Sequence, residues 1–174
     1  MLDTLITSRT RIRLLVKFFT NQAIRAHLRG LAEEYGESTH AIRLELNRLS
    51  EAGFLEAQPQ GNTIQYQANS RHPMFASLRN LVAQYLGFDQ IIEIVLQRLG
   101  NLRQALVVGD YAQGIDSGTI DLLLVGQLDI HYLNRLIPKA EELIGRKIRY
   151  QVQSAALSDP VESNQPCVVL WNEG

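Results

Sequence analysis

The strongest pattern in this sequence lies in residues 36–55, which read Gly36-Glu37-Ser38-Thr39-His40-Ala41-Ile42-Arg43-Leu44-Glu45-Leu46-Asn47-Arg48-Leu49-Ser50-Glu51-Ala52-Gly53-Phe54-Leu55. Ser38 is expected to cap a helix, because its hydroxyl can accept a hydrogen bond from an unpaired amide of the first turn. The apolar residues after it are spaced so that they form one stripe on a helix. These residues are Ala41, Ile42, Leu46 and Leu49. Gly53 is expected to end the helix.

The opposite face of this helix carries polar side chains near its beginning. They are Thr39, His40, Arg43 and Asn47. A helix whose N-terminal half enters the major groove of DNA needs such short or forked hydrogen-bonding groups to read base edges. Taken alone, the same pattern also fits an ordinary amphipathic surface helix.

Patterns on either side of this helix predict further elements. Residues 27–35 are predicted to form a second short helix, and residues 36–38 have the length of the turn in a helix-turn-helix. Residues 54–58 and 63–68 predict two strands, since apolar and polar residues alternate in the second of them. Residues 59–62 would join these strands in a hairpin.

Two earlier elements complete the front part of the chain. A helix is expected from Thr7 or Ser8 to about Phe19, followed by a short strand within residues 24–27 that pairs with the hairpin. The basic residues of the helix are expected to be solvated at its surface. They are Arg9, Arg11, Arg13 and Lys17.

Helix, turn, helix and hairpin in this order resemble the winged helix of bacterial regulators of the ArsR and MarR kind, over roughly residues 8–70. Residues 46–55, Leu-Asn-Arg-Leu-Ser-Glu-Ala-Gly-Phe-Leu, are among the more specific parts of this resemblance. The resemblance implies a transcriptional regulator whose partner is double-stranded DNA, bound as a two-fold dimer. The side chains expected at the DNA are Ser38, Thr39, His40, Arg43, Asn47, Gln60 and Asn62.

The predicted hairpin tip departs from the family's pattern, because residues 58–63 contain no lysine or arginine. Amide side chains can still hydrogen-bond to phosphates or to the minor groove, but they release no counterions of their own. Either the hairpin adds little affinity, or this part of the chain binds protein rather than DNA.

The length of 174 residues allows two small domains, and the sequence changes character after residue 72. We expect a front domain at 1–72, a linker or dimerisation helix at 73–88 and a second domain at 89–174. The formal net charge is −1. Through residue 72 there are nine Lys and Arg against seven Asp and Glu, and beyond it eight against eleven. Attraction of the front part to nucleic acid is therefore expected to be local and modest.

The cysteine content and the apolar runs bear on the compartment. Cys167 is the only cysteine, which excludes an intramolecular disulfide and fits a reducing compartment. Basic residues interrupt the apolar residues near the N-terminus, unlike the core of a signal peptide, and no run is long enough to span a bilayer. We therefore expect a cytoplasmic protein without a membrane partner.

Residues 105–126 predict a strand, a turn punctuated by glycines and a second strand, with both strands apolar. This pattern resembles the small nucleotidyltransferase domains of the polymerase-beta superfamily, over approximately residues 89–171. In that family a Gly-Ser pair begins a phosphate-cradling turn, and the next strand carries Asp-x-Asp to hold magnesium. The resemblance implies nucleotide-binding positions at Gly109, Asp110, Gly114 and Asp121.

The remaining elements of the back part follow in the order that this resemblance implies. They are a helix capped by Asp89 and ending at Leu99, a helix over 129–143, a strand over 146–153, a turn at 158–160 and a strand over 167–171.

The chemistry of the nucleotidyltransferase family is incomplete in this sequence. Asp110 replaces the phosphate-binding serine, and its charge would repel a triphosphate. Depending on the alignment, either Thr119 or Leu123 stands where Asp121 should have its partner carboxylate, and residues 146–153 offer no third acid. Two-metal phosphoryl transfer needs a cluster of oxygen ligands. Asp110, Asp116 and Asp121 could together hold one ion only in an unusual geometry.

The sequence therefore predicts an α+β chain, in which a winged helix-turn-helix is followed by a nucleotidyltransferase-like α/β domain with a small mixed sheet. We interpret it as a DNA-binding transcriptional regulator whose second domain is catalytically inactive and serves as a sensor or interaction unit. No catalytic residue, metal or cofactor is expected. An active nucleotidyltransferase, a protein-interaction module of the antitoxin kind, and a nucleotide or protein effector remain open alternatives.

Overall fold

The computed structural model describes residues 2–154 and 165–173, and its architecture is α+β, as predicted. The chain divides into two compact units, residues 1–82 (unit 1) and residues 83–174 (unit 2). The predicted turn at 158–160 lies outside the described residues. In the part of the chain that is described, none of the helices has both the length and the apolar character needed to cross a membrane.

Unit 1 begins with two helices, α1 (Leu2–Leu5) and α2 (Arg9–Thr20). Ser8 caps α2, because its hydroxyl oxygen accepts a hydrogen bond from the amide of Arg11 at 3.1 Å. Strand β1 (Ala26–His27) and helix α3 (Leu28–Tyr35) follow. The capped helix and the short strand are therefore confirmed.

Helix α4 (Thr39–Glu51) follows α3 after a short corner. Gly36 turns the chain there with a φ of +63°, a left-handed conformation that glycine adopts without steric cost. Ser38 caps α4 by accepting a hydrogen bond from the amide of Ala41 at 3.2 Å. The predicted pair of helices and the predicted cap are both confirmed.

The hairpin consists of β2 (Leu55–Gln60) and β3 (Thr63–Ala68). Together with β1 they form an antiparallel sheet in the order β1-β3-β2. The predicted four-residue connection at 59–62 was too long, because Pro59 and Gln60 continue β2 and pair with Ile64 and Thr63. Proline is tolerated there because β2 is an edge strand.

The core of unit 1 lies among α2, α3 and α4. Its most deeply buried side chains include Leu14, Phe18, Phe19, Leu31, Ile42 and Leu46. The sequence suggested that the basic residues of α2 are solvated at the surface, but several of them form ion pairs. Arg13 pairs with Glu37 at 3.0 Å, and Lys17, which is buried, pairs with Glu34 at 2.7 Å.

A buried carboxylate joins α4 to the beginning of α2. Glu45 is only 5% exposed and accepts hydrogen bonds from Ser8 at 3.0 Å, from Arg11 Nε at 2.8 Å and from Arg48 at 3.2 Å. Burial alone would raise the pKa of Glu45, but the hydrogen bonds and charges of its partners lower it below its ordinary value. The ionised side chain is therefore part of the packing between the two helices.

Unit 2 contains the end of α5 (Phe75–Leu86), then α6 (Phe88–Ile94) and a 3₁₀ turn at Leu96–Arg98. The predicted cap at Asp89 and the predicted helix end at Leu99 are wrong. The residue before α6 is Gly87, with a φ of +85°. A Cβ at this position would lie 2.5 Å from Ile144 Cγ2, so the close approach of the chain requires glycine and α6 begins directly after it.

The sheet of unit 2 contains β4 (Leu102–Val108), β5 (Thr119–Gly126), β6 (Lys147–Gln153) and β7 (Val168–Asn172). The strand order is β6-β5-β4-β7, with β5 and β6 parallel and the other pairs antiparallel, so the sheet is mixed, as predicted. A helical turn, α7 (Gly109–Ala112), separates β4 from β5.

Helix α8 (Ile130–Ile144) lies against one face of this sheet. Tyr150 of β6 donates a hydrogen bond to Asn134 of α8 at 2.6 Å, which places Ile148 and Tyr150 on the helix-covered face. Because side chains alternate along a strand, Asp121 and Arg149 lie on the other face of the sheet.

Replacing Glu45 by Gln is expected to destabilise unit 1 by about 1–3 kcal/mol, because Arg11 and Arg48 lose their charged acceptor. Urea unfolding followed by far-ultraviolet circular dichroism measures this loss. The matched control is Glu51→Gln, at an exposed position of the same helix, with an expected change within about 0.5 kcal/mol.

Comparing the wild type with Glu45→Gln at different pH values gives a second test. Because the pKa of Glu45 is lowered on folding, its stabilisation is present at neutral pH and is lost as the pH falls below the ordinary value, about 4.3. The stability difference between wild type and Glu45→Gln should therefore shrink in acid. A difference that is independent of pH would contradict the role given to the ionised carboxylate.

Candidate functional site

The outward face of α4 gathers four of the predicted DNA-binding residues. Burial of Ile42, Leu46 and Leu49 on the other side fixes how the helix is turned. The side chains left exposed near its beginning are those of Thr39, His40, Arg43 and Asn47, which we call the α4 polar face. Ser38 is also exposed, but its hydroxyl oxygen already accepts the capping hydrogen bond.

Arg43 has no ion-pair partner among residues 2–154 and 165–173, unlike the five basic residues of unit 1 that are held in ion pairs. The other arginine on the exposed side of α4, Arg48, is held by Glu45 at 3.2 Å. A guanidinium that is exposed and not neutralised by the protein is available to a phosphate or a base edge.

The hairpin carries the remaining two predicted DNA contacts, and both Gln60 and Asn62 are exposed. Gln60 accepts a hydrogen bond from the side chain of Gln65 at 3.1 Å, and its backbone carbonyl accepts one from the Thr63 hydroxyl at 3.0 Å. Residues 57–70 contain no charged side chain. The hairpin can therefore offer amide hydrogen bonds but no charge.

Sequence reasoning missed Leu44, which is 46% exposed beside the α4 polar face. It follows His40 by four residues and precedes Asn47 by three, spacings that put these residues on neighbouring positions of one helix surface. The signal was present in the sequence, because a leucine among polar residues lies outside the apolar stripe.

The predicted nucleotide positions in unit 2 are only partly brought together. Gly109 begins α7 with a φ of +66°, and a Cβ there would lie 2.9 Å from Asp121 Oδ2, so these two residues are adjacent. Asp110 lies within α7, and Gly114 lies in the loop after it, where its amide donates to the carbonyl of Tyr111 at 3.1 Å.

Asp121 is held by an arginine of the neighbouring strand. Arg149 Nε and Nη2 donate to its two carboxylate oxygens at 2.7 and 2.9 Å, and the two residues are register partners in the parallel pair of β5 and β6. The hydrogen bond to Asp121, then the charges of Asp121 and Asp110, raise the pKa of Arg149. The ion pair supplies a partner for a half-buried carboxylate that lies within an apolar strand.

Asp116 belongs to a different network. Arg146 donates to it at 2.6 and 3.0 Å, and the hydroxyl of Tyr111 donates to it as well. Burial disfavours the carboxylate, but these hydrogen bonds lower the pKa of Asp116 below its ordinary value. Arg146 also donates to the carbonyl of Tyr85 at 3.1 Å, so this network holds the fold of unit 2.

The three aspartates therefore do not form a metal site. Asp116 and Asp121 are each neutralised by a separate arginine. Across the described parts of the chain, no three His, Cys, Asp or Glu side chains come together in an arrangement that could hold a metal ion.

A cavity of about 850 Å³ lies beside β5 and β6, and Asp121 is part of its lining. Its polar lining among the described residues includes Asp121, Arg149, Tyr150, Gln151, Gln153 and Gln165. Its apolar lining includes Val108, Leu122, Leu123 and Ile148. The ion pair between Asp121 and Arg149 leaves this lining close to neutral.

Comparison with known proteins gives little further guidance. No protein-family model matches the chain, and no curated protein matches it. A solved structure of a tri-AMPylated Shewanella oneidensis HEPN toxin in complex with MNT antitoxin contains a chain with a TM-score of 0.36 and 18% identity, covering 52% of this chain and 73% of that one. The AntR antimony-specific transcriptional repressor has a TM-score of 0.34 and 22% identity, covering 53% of this chain and 73% of its own. At these TM-scores, neither likeness establishes a shared fold.

Proposed function

We propose that unit 1 is a winged helix-turn-helix that binds double-stranded DNA through α4, and that the protein is a cytoplasmic transcriptional regulator. The observation that carries this proposal is the α4 polar face with its unpaired Arg43. On this helix the exposed, unneutralised Arg43 stands between His40 and Asn47, so one surface offers a positive charge beside two other hydrogen-bonding side chains.

The side chains of the α4 polar face suit the major groove. An arginine can donate two hydrogen bonds to the N7 and O6 atoms of guanine, and an asparagine can pair in the same way with adenine. Arg43 and Asn47 are one helical turn apart and exposed on the same side, so they can reach neighbouring base pairs. Thr39 and the hydroxyl of Ser38 lie at the N-terminus of α4, where phosphates are commonly bound.

The charges of unit 1 limit how strongly it binds DNA without regard to sequence. Five of the ten Lys and Arg residues of unit 1 are in ion pairs within unit 1: Arg11, Arg13, Lys17, Arg48 and Arg71. The hairpin adds no positive charge. Because non-specific affinity comes from neutralised phosphates, we expect modest non-specific binding and a shallow dependence on salt.

Replacing Arg43 by Ala is expected to weaken binding to the preferred DNA by about 1–3 kcal/mol, because a bidentate base contact is lost. The measurement is fluorescence anisotropy with fragments of the gene's own upstream region against random DNA, at two salt concentrations. Arg98→Ala, at an exposed arginine of unit 2, is the matched control and should bind as the wild type does.

The form of the loss distinguishes two roles for Arg43. A base contact predicts that Arg43→Ala loses discrimination between the preferred and the random DNA. A phosphate contact predicts an equal loss on both and a smaller salt slope. Unchanged affinity in Arg43→Ala would remove α4 as the reading helix.

We further propose that unit 2 is a nucleotidyltransferase-like domain that does not transfer nucleotides and serves as a sensor or interaction unit. One support is that the sequence lacks the partner carboxylates expected beside Asp121. The other is that Arg149 donates two hydrogen bonds to the carboxylate of Asp121. Two-metal phosphoryl transfer would require free oxygen ligands at that position. The acidic side chain of Asp110 adds repulsion toward a triphosphate.

The wild type and the Asp121→Asn variant are each incubated with magnesium and ATP labelled on its α-phosphate, alone or with a cell extract. The wild type is expected to transfer no more label, to itself or to proteins of the extract, than the variant does. The reason is that Asp121 is already neutralised by Arg149. Label that is transferred by the wild type and disappears in Asp121→Asn would establish an active nucleotidyltransferase instead.

The proposed regulator is expected to be a homodimer, since proteins that read palindromes are usually two-fold symmetric. The apolar side chains of α5 supply the candidate surface, because Phe75, Leu78 and Leu81 are only half-buried in the single chain. We expect a dimeric mass by light scattering and a monomeric mass for Leu78→Glu. Asn80→Glu, at an exposed position of α5, should remain dimeric. A monomeric wild type would remove this surface as a dimer interface.

The lack of charged side chains in residues 57–70 also favours a second candidate function, a protein-interaction module of the antitoxin kind. Pro59 is exposed and Ile64 is 48% exposed at its far end, a composition closer to a protein contact than to a phosphate contact. Failure to bind any DNA at low salt, together with co-purification of a second protein, would favour this candidate over the regulator.

A further inference from the structure

Leu44 interrupts the outward face of α4 with a large apolar side chain. It is 46% exposed, whereas Ile42 and Leu46, two residues before and after it, are fully buried. The stripe that packs α4 into unit 1 is therefore complete without Leu44. This apolar side chain is therefore available to a contact from outside unit 1.

The position of Leu44 relates it to the residues proposed to read DNA. At 3.6 residues per turn, successive side chains are about 100° apart, so Leu44 lies about 40° from His40 and about 60° from Asn47 around the helix. Arg43 lies on the other side of His40. A base pair that faces His40 and Asn47 would therefore also face Leu44.

The major groove presents one apolar group to a protein, the 5-methyl group of thymine. The amino, carbonyl and ring-nitrogen groups of the base edges are hydrogen-bond donors or acceptors, which lose water without compensation when leucine covers them. A leucine in this position thus favours thymine, whose methyl group it buries. It disfavours the other bases, because it cannot form hydrogen bonds with the polar groups that it covers.

We infer that Leu44 contacts the methyl group of a thymine and is a specificity-determining residue of the proposed DNA site. The inference rests on the proposed binding of DNA by α4. It adds a base preference that the polar residues cannot supply, because hydrogen bonds to thymine O4 do not require the methyl group.

The test uses a duplex selected by the full-length wild-type protein from its own upstream region. Each thymine is replaced in turn by deoxyuridine, which lacks the methyl group and retains base pairing. We expect one thymine in each half-site at which this replacement lowers the affinity of the wild type about fourfold, the effect of one buried methyl-sized group.

Variants of the protein test whether Leu44 causes the loss of affinity with deoxyuridine. Leu44→Ala should bind the thymine duplex about as weakly as the wild type binds the deoxyuridine duplex, and should show no further loss with deoxyuridine. Leu5→Ala, at a leucine that is 74% exposed on α1, is the matched control and should retain the fourfold effect. Thermal melting checks that both variants are folded.

The outcomes separate this inference from the function on which it rests. Specific binding that tolerates deoxyuridine at every position, or a deoxyuridine effect that persists in Leu44→Ala, would overturn the inference and leave DNA binding intact. A wild type that binds no duplex specifically would overturn both. Loss of a co-purifying protein in Leu44→Ala, without a change in DNA affinity, would assign Leu44 to a protein contact instead.

Discussion

The buried carboxylate of Glu45 is the constraint on which unit 1 depends. An ionised group inside a protein is costly unless charged hydrogen-bond donors surround it, so α2 can pack on α4 only where Ser8 and Arg11 reach Glu45. This contact and the buried stripe of Ile42, Leu46 and Leu49 act on the same side of α4. Together they leave Arg43 and Asn47 exposed on the opposite side.

Unit 2 also pairs carboxylates with arginine, at the less buried Asp116 and Asp121. Arg146 donates hydrogen bonds both to Asp116 and to the carbonyl of Tyr85. Arg149 pairs with Asp121 across the parallel strands β6 and β5. In both cases a positive side chain of the protein neutralises a carboxylate that could otherwise bind a cation.

Local signals predicted most of the elements, and contacts distant in sequence explain what was missed. The cap at Ser38 and the apolar stripe of α4 are properties of neighbouring residues, so both could be predicted. The pairing of Asp121 with Arg149 depends on strand register over 28 residues, which no local pattern encodes. The start of α6 was misplaced because the space beside Gly87 is set by Ile144, far along the chain.

The placement of Pro59 within β2 has a consequence for how the protein behaves at high concentration. A free edge strand offers unpaired amides to any other chain, and β2 carries no charge beyond Glu56 to discourage such pairing. Proline has no amide hydrogen, so it interrupts the row of donors near the hairpin tip. Pro59 thereby also protects the exposed hairpin from pairing with strands of other molecules and from aggregation.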